Sequence, residues 1–124
     1  MLTTLSQAST QKAVGEAVCT FWRDFLGWNQ VEVQVFLPGD QIIVSLRGVL
    51  SPAEQKMAAT SEGRMRMKQI RNALIDQGRN GLCEAIATST QTTVCITLIT
   101  IYVSAKEERF TLVFEANEVK ALTH

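Results

Sequence analysis

The sequence predicts a two-layer α+β domain in which helices cover one face of a four-stranded sheet, in the order α-β-β-α-α-β-β. Two observations lead to this fold class. A helical stripe of apolar residues precedes an alternating β-hairpin, and a longer helical region precedes two further apolar strands. The chain has 124 residues, which is enough for one domain with a single core. We expect a flexible N-terminal segment over residues 1–10, a single domain over 11–116 and a C-terminal tail over 117–124.

The first predicted element is a helix over residues 11–26, which Gly27 ends as the C′ residue. Its apolar residues recur at helical spacing and are Val14, Val18, Phe21 and Phe25. Two alternating segments follow, VEVQVFL and QIIVSLR, and they predict a hairpin joined by Pro38-Gly39-Asp40. The alternation directs one set toward the core: Val31, Val33, Val35, Leu37, Ile42, Val44 and Leu46.

The next region is predicted to be a helix pair. It begins at Ser51-Pro52-Ala53-Glu54, where Ser51 can cap the helix, Pro52 suits the first turn and Glu54 can reach back to the Ser51 amide. Helical character continues to about residue 77, with Met67, Ile70 and Leu74 on one face. We expect Gly78-Arg79-Asn80-Gly81 to break the helix, because two glycines cost about 2 kcal/mol in a helix interior relative to alanine. A short helix then resumes at Leu82.

Residues 92–103 and 109–115 are predicted to form the last two strands, joined across Lys106-Glu107-Glu108, a charged turn expected to be solvated. In the first of these strands the apolar residues change parity near Leu98. Either both faces of the strand are covered, or a bulge near Leu98 exchanges them. The inner face of the last strand is marked by Phe110, Leu112 and Phe114.

Composition excludes several classes of protein. Twelve basic and twelve acidic residues give a net charge of zero, which does not call for nucleic acid or an acidic surface as a partner. Because His124 is the single histidine of the sequence, most kinds of histidine-based catalysis are excluded. No HExxH, Walker or GxGxxG motif occurs. We therefore expect a protein that is not an enzyme and that needs no cofactor or metal.

Cysteine usage and hydropathy predict the compartment. Cys19, Cys83 and Cys95 form no CxxC pair and are interpreted as small buried hydrophobic residues of a reduced, cytoplasmic protein. The apolar run VCITLITIYV, residues 94–103, is shorter than the roughly 20 residues that a membrane helix needs. The chain is not expected to span a membrane.

Three features are candidates for binding. Arg64, Lys68 and Arg71 share a helix face that could meet an acidic partner, a phosphate or an anionic lipid, or that is simply solvated. Gly78-Arg79-Asn80-Gly81 is either a helix–helix corner or a GxxG clamp on a nucleic-acid backbone of the kind found in KH domains. Trp22 and Trp28 fall outside the apolar stripe and could contact a partner or a second copy, although Trp22 could equally widen the core face.

One stretch resembles a known family. From Gly27 the sequence reads GWNQVEVQVFLPGDQIIVSLRGVLSPAEQKMAATSEGRMRMKQIRNAL, and it resembles the bacterial MpsC-like family, also described as YbcI-like. The block LRGVLSPAE is the specific part of the pattern. The matching positions are Gly27, Val31, Val33, Asp40, Ile43, Val44, Leu46, Gly48, Leu50, Pro52, Ala53, Glu54, Gly63, Arg64, Arg71, Glu108, Arg109, Val113 and Phe114.

The resemblance implies a soluble accessory protein of a Na⁺-translocating, membrane-potential-generating system linked to inorganic-carbon uptake. Our leading hypothesis is therefore a non-catalytic, cytoplasmic regulatory or adaptor protein that binds a protein partner, such as a membrane transport complex, and forms a homodimer. The second hypothesis is a KH-like nucleic-acid-binding domain that uses the corner at residues 78–81. Nucleic acid is the less expected partner because the domain is neutral overall.

Overall fold

The structure is a computed structural model that describes residues 7–27 and 31–116. Helix α1 (Gln7–Phe21) continues into a π-helical turn (Trp22–Leu26). The remaining elements are β1 (Val31–Phe36), β2 (Gln41–Val49), α2 (Pro52–Met57), α3 (Ser61–Thr90), β3 (Val94–Val103) and β4 (Glu107–Ala116). This order confirms the predicted α+β fold.

The N-terminal helix starts earlier than predicted. It begins at Gln7, inside the segment 1–10 that was expected to be flexible, and Thr10 is already buried. Gly27 ends the π-helical turn with a φ of 76°, and its amide donates to the carbonyl of Arg23 over 2.9 Å, which confirms it as the terminating residue. The predicted tail, residues 117–124, lies outside the described residues.

The sheet is antiparallel, with the strand order β1-β2-β4-β3, so β1 and β3 are its edges. Helix α1 packs over β1 and α3 packs over β3, and the two helices contact each other to form a single layer. Because both helices lie against one face, alternate residues of each strand turn to the core, and Ile42, Val44 and Leu46 of β2 are at most 1% exposed. The inner face predicted for β4 is confirmed, since Phe110, Leu112 and Phe114 are fully buried.

The parity change in β3 is produced by a bulge. Ile96 pairs with Phe114 and Leu98 pairs with Val113, so Thr97 is the extra residue between them. Leu98 consequently faces away from the helices and is 53% exposed, whereas Ile99 packs against the core. Of the two explanations that the sequence left open, the bulge is correct.

The predicted helix break at Gly78-Arg79-Asn80-Gly81 is wrong, because these residues lie inside the continuous helix α3. Gly78 is buried where α3 meets α1, and a Cβ there would lie 2.6 Å from Cζ of Phe21. The glycine therefore permits a close approach of the two helices, and this packing outweighs its low helix propensity.

The helix pair is instead divided at residues 58–60. Thr60 caps α3 by accepting a 3.0 Å hydrogen bond from the amide of Gly63. A Cβ on Gly63 would overlap the carbonyl of Met57, so only glycine lets the chain turn this tightly between α2 and α3. The predicted capping box at Ser51 and Glu54 is confirmed.

Some residues predicted for the core are more exposed than expected. Ile70 is 48% exposed and Phe25 is 43% exposed, although both follow the helical spacing of buried neighbours. Phe25 lies in the π-helical turn, whose wider winding moves it off the stripe formed by Val14 and Val18. The three cysteines are half-buried, and burial raises the pKa of the Cys83 thiol.

None of the helices in the described ranges is both long enough and apolar enough to cross a membrane.

The helical state of residues 78–81 predicts opposite effects of two alanine substitutions. Gly81→Ala should raise the free energy of unfolding by about 1 kcal/mol, because it improves helix propensity and its Cβ lies 3.5 Å from Phe21, an ordinary contact. Gly78→Ala should be less stable than Gly81→Ala by about 1 kcal/mol or more, because it must displace the rings of Phe21 and Phe25. Urea denaturation of both variants measures this difference, and a loss of stability in Gly81→Ala would contradict it.

Candidate functional site

A buried cluster of charges joins three elements of the fold. Arg71 of α3 donates through Nε to Oε1 of Glu108 over 2.8 Å and through Nη2 to Oε2 of Glu54 over 2.6 Å. A further bond of 3.2 Å joins Nη2 to Oε2 of Glu108, so β4 binds the guanidinium in a bidentate manner. The side chains of Arg71 and Glu108 are only 13% and 3% exposed.

Glu54 contributes to this cluster from α2, where it also completes the capping box. Its Oε1 accepts a 2.9 Å hydrogen bond from the Ser51 amide. Burial by itself would raise the pKa of Glu54, but the hydrogen bonds from Ser51 and Arg71 outweigh it and leave the pKa below its ordinary value. The carboxylate is therefore held ionised between a helix cap and a guanidinium.

Arg71 does not share an exposed helix face with Arg64 and Lys68, as the sequence led us to expect. Its guanidinium is turned inward and is occupied by two carboxylates, which leaves it unable to receive an acidic partner. The expectation that Glu108 lies in a solvated turn is also wrong, because the residue is in β4 and 2% exposed. Sequence reasoning missed this cluster, although its three residues are all among the positions that carry the family resemblance.

Trp22 does not lie on the predicted contact surface. Trp22 is fully buried, and its ring meets that of Phe110 edge to face with centroids 5.3 Å apart. It lies four residues after Val18 and eight after Val14, so it extends the buried stripe of α1, the second of the two readings that the sequence allowed. Trp28 lies outside the described residues.

The predicted nucleic-acid site loses its geometric basis. A GxxG clamp needs a loop between two helices, whereas Gly78, Arg79, Asn80 and Gly81 all lie within α3. The Arg79 guanidinium is paired with Asp76 over 3.2 Å, one turn earlier on the same helix. The corner on which the KH-like hypothesis depended does not exist in this fold.

The two other basic residues of the predicted face, Arg64 and Lys68, line a surface groove. The α3–β3 groove, as we call it, lies between the first half of α3 and the edge strand β3 and has a volume of about 530 Å³. Its lining combines charge, amide and apolar groups: Ser61, Arg64, Met65, Lys68, Gln69, Asn72, Ile99, Ile101, Tyr102 and Val103. It therefore offers both a hydrophobic floor and two cations, and no acidic side chain.

The two cations of the groove have different roles. Arg64 is half-buried and donates through Nη1 to the carbonyl of Ala58 over 2.8 Å, so it also secures the turn between α2 and α3. Lys68 is exposed one helical turn further on. Arg66 lies on the same helix but outside the groove, where it pairs with Glu62 over 3.1 Å in solvent.

A second surface is the sheet face turned away from the helices, which we call the open face. Strand pairing places one apolar residue from each strand in a row across it, formed by Phe36, Ile43, Val113 and Leu98. The outer two members, Phe36 and Leu98, are 48% and 53% exposed. This exposed apolar row makes the open face a candidate interaction surface.

Four charged residues of the open face are paired with one another, whereas Glu115 accepts a hydrogen bond from an uncharged side chain. Arg47 binds Glu107 over 2.6 Å and lies 3.7 Å from Glu32, and Arg109 lies 3.5 Å from Glu107. The hydrogen bond from Arg47 is the main cause of a lowered pKa at Glu107. The open face thus carries charges of both signs, in contrast to the basic α3–β3 groove.

Within residues 7–27 and 31–116, no three His, Cys, Asp or Glu side chains come together in a way that could hold a metal ion.

The chain is similar to a known protein family and to a known bacterial protein. A family model described as "Na+-translocating membrane potential-generating system (MpsC)" matches residues 6–116, a range that includes every described element. The chain is also similar to "Uncharacterized protein YbcI" of Bacillus subtilis (strain 168), with 33% identity over 81 residues. That similarity covers 65% of this chain and 65% of the length of the relative. No solved structure matches the chain.

The buried cluster predicts a large stability difference between two arginines of α3. Arg71→Met should lower the free energy of unfolding by about 3 kcal/mol or more, because it leaves Glu108 charged and buried without its partner. Arg66→Met, which removes an exposed pair on the same helix, should change it by about 0.5 kcal/mol or less. Urea denaturation measures both values.

A double variant tests the cause of that loss. Arg71→Met combined with Glu108→Met should be more stable than Arg71→Met alone, since an apolar pair replaces an orphaned charge. Equal losses in Arg71→Met and Arg66→Met would contradict the role of the cluster.

Proposed function

Because the chain belongs to the MpsC family, as its LRGVLSPAE block predicted, we propose that it is a non-catalytic adaptor or regulatory protein that acts by binding another protein. The family description links it to a Na⁺-translocating membrane system, and we propose a subunit of such a cation or inorganic-carbon transport system as the partner. Its three free cysteines favour a reducing, cytoplasmic compartment.

The arrangement of the carboxylates supports a non-catalytic role. Glu54 and Glu108 are the carboxylates of the buried cluster, and both are held by Arg71. Glu108 is too deeply buried to reach a substrate, and Glu54 is engaged by a helix cap. General acid–base catalysis needs a group within hydrogen-bond reach of the substrate, which this cluster does not offer.

The observation that carries the proposal is the α3–β3 groove. It is a concave surface that combines apolar side chains such as Met65 and Ile101 with the cations Arg64 and Lys68. Met65 is 61% exposed, so the groove presents apolar area that a partner can bury. Apolar area with charge at its margin is the composition of a protein–protein contact, in which charge sets specificity.

Partner capture from the native cell tests this proposal. We expect the tagged protein to recover a membrane-system subunit from gently solubilised membranes, as identified by mass spectrometry. Lys68→Glu should lower this recovery about tenfold, because it reverses the exposed charge of the groove. Arg66→Glu is the matched control, since it makes the same charge change on the same helix outside the groove and should leave recovery unchanged.

Two results would contradict the proposal. Equal recovery with Lys68→Glu and Arg66→Glu would exclude the groove as the binding surface. Recovery of no transport subunit by the unaltered protein would exclude the membrane system. Arg71 does not belong in this test because its replacement would destabilise the fold.

We also propose that a second copy of the chain covers the open face. The apolar row extends across all four strands, and two sheets that pack face to face bury such rows between them. Arg47, Glu107 and Arg109 on this face are already paired within one copy, which limits the repulsion between two copies. Two α3–β3 grooves would instead bring cations against cations.

Sedimentation velocity tests the homodimer. We expect the unaltered chain to sediment as a dimer, and Phe36→Glu and Leu98→Glu to sediment as monomers because each places a charge in the apolar row. Ile70→Glu is the control, because Ile70 has the same 48% exposure as Phe36 but lies on α3. A monomeric parent chain, or a dimer that survives both substitutions, would refute this arrangement.

A further inference from the structure

We propose that the edge strand β3 receives an extended, acidic segment of the partner protein as a fifth strand of the sheet. The proposal deepens the function proposed above and rests on it, because it states how the α3–β3 groove recognises its partner. It depends on three observations: an edge without the usual protection, a groove whose geometry suits a strand, and the sign of the charge beside it.

The first observation is the composition of β3. Among the described elements, β4 alone pairs with it, so its other side presents backbone N–H and C=O groups. Natural edge strands are guarded by lysine, by proline, by inward charges or by short length. The ten residues of β3, VCITLITIYV, include no charge and no proline. The bulge at Thr97 is the one feature of β3 that would hinder pairing with another strand. It leaves residues Leu98–Val103 in regular register.

The other edge of the sheet is protected, which makes the contrast informative. The Gln11 side chain of α1 donates through Nε2 to the carbonyl oxygen of Val35 in β1 over 3.0 Å. Glu32 adds a charge near the start of this short strand. The fold therefore occupies the β1 edge with its own helix and leaves β3 available for strand addition.

The second observation is that α3 runs alongside β3 and matches the repeat of a strand. Residues 61–72 of α3 and 99–103 of β3 line the same groove. Arg64 and Lys68 are four residues apart on the helix, a rise of about 6 Å. Alternate residues of an added strand are about 6.6 Å apart, so two acidic side chains at positions i and i+2 can meet the two cations in turn.

The remaining side chains of the added strand would turn the other way. Since successive side chains of a strand alternate between faces, every second residue faces α3 and the rest face the open side of the sheet beside Leu98 and Tyr102, both about half exposed. Strand addition thus predicts a segment with acidic residues on one face and apolar residues on the other. Main-chain hydrogen bonds would supply affinity, and the alternating side chains would supply specificity.

The third observation, charge, selects the occupant. A second copy paired through β3 would extend the sheet and place its own Arg64 and Lys68 on the same side as the first pair. Like charges brought together in this way oppose association. An acidic segment of a different protein gains from the same two cations, and it is therefore the occupant that the groove favours.

The experiment uses a short, capped peptide in which aspartate and valine alternate, with a fluorescent label, and the full chain. We expect binding by fluorescence anisotropy, with slower amide hydrogen exchange within Leu98–Val103 on binding. Lys68→Glu should weaken binding about tenfold, and the control Arg66→Glu should not. Two further peptides carry N-methyl groups on the odd or on the even residues, which removes the amide donors from one edge of the strand or from the other. One of these two peptides should lose binding and the other should keep it.

Three results would overturn the proposal. These are unchanged exchange in β3 when the peptide binds, equal affinity for both N-methylated peptides, and concentration-dependent protection of β3 in the chain alone, which would assign the edge to a second copy. The outcomes are separable from those of the capture experiment. If capture of the transport subunit depends on Lys68 while amide exchange in β3 is unchanged by the peptide, strand addition fails and the adaptor function stands. If the peptide slows exchange in β3 but no transport subunit is captured, the membrane partner is excluded and the edge remains a peptide-binding site.

Discussion

The guanidinium of Arg71 joins helices α2 and α3 to strand β4 of the sheet. Helix α2 has six residues and buries none of them, so it cannot be held by a hydrophobic face of its own. Its attachment depends on the capping box and on Glu54, which binds Arg71, while Arg71 binds Glu108 in the sheet. The same bonds set the position of the first half of α3 over the sheet. The α3–β3 groove therefore depends on a charge that lies outside it.

Several positions that carry the family resemblance have structural roles. Glu54, Arg71 and Glu108 form the buried cluster, and Gly63 allows the tight turn between α2 and α3. These positions specify the fold, and none of them is an exposed contact. Lys68, the exposed cation of the groove, is not among the positions that carry the resemblance. The family pattern therefore covers the buried cluster and one groove cation, Arg64, and it leaves out the other groove cation, Lys68.

The sequence allowed prediction wherever the determinant was local. The alternation of β2, the capping box at Ser51 and the parity change near Leu98 each involve residues a few positions apart, and the structure confirms them. The wrong predictions concern residues whose environment is set by a partner far away in the sequence. Arg71 and Glu108 are 37 positions apart, and the fit of Phe21 against Gly78 requires the packing of two helices. The end of α3 was missed for a different reason, since Gln91 takes the left-handed conformation (φ 61°) usually signalled by glycine.

The two proposed contacts extend in different directions from the sheet and meet at Leu98. Face-to-face packing of two copies covers the open face, whereas strand addition extends the sheet sideways at β3. A homodimer therefore carries two open edges, one on each copy. If a membrane complex presents two acidic segments within reach of each other, one homodimer can bind both. The second segment then binds intramolecularly, and the overall affinity can exceed that of a single contact by about 10²–10⁴. A weak edge contact of a small chain can in this way become selective for an assembled, multi-subunit partner over its isolated subunits.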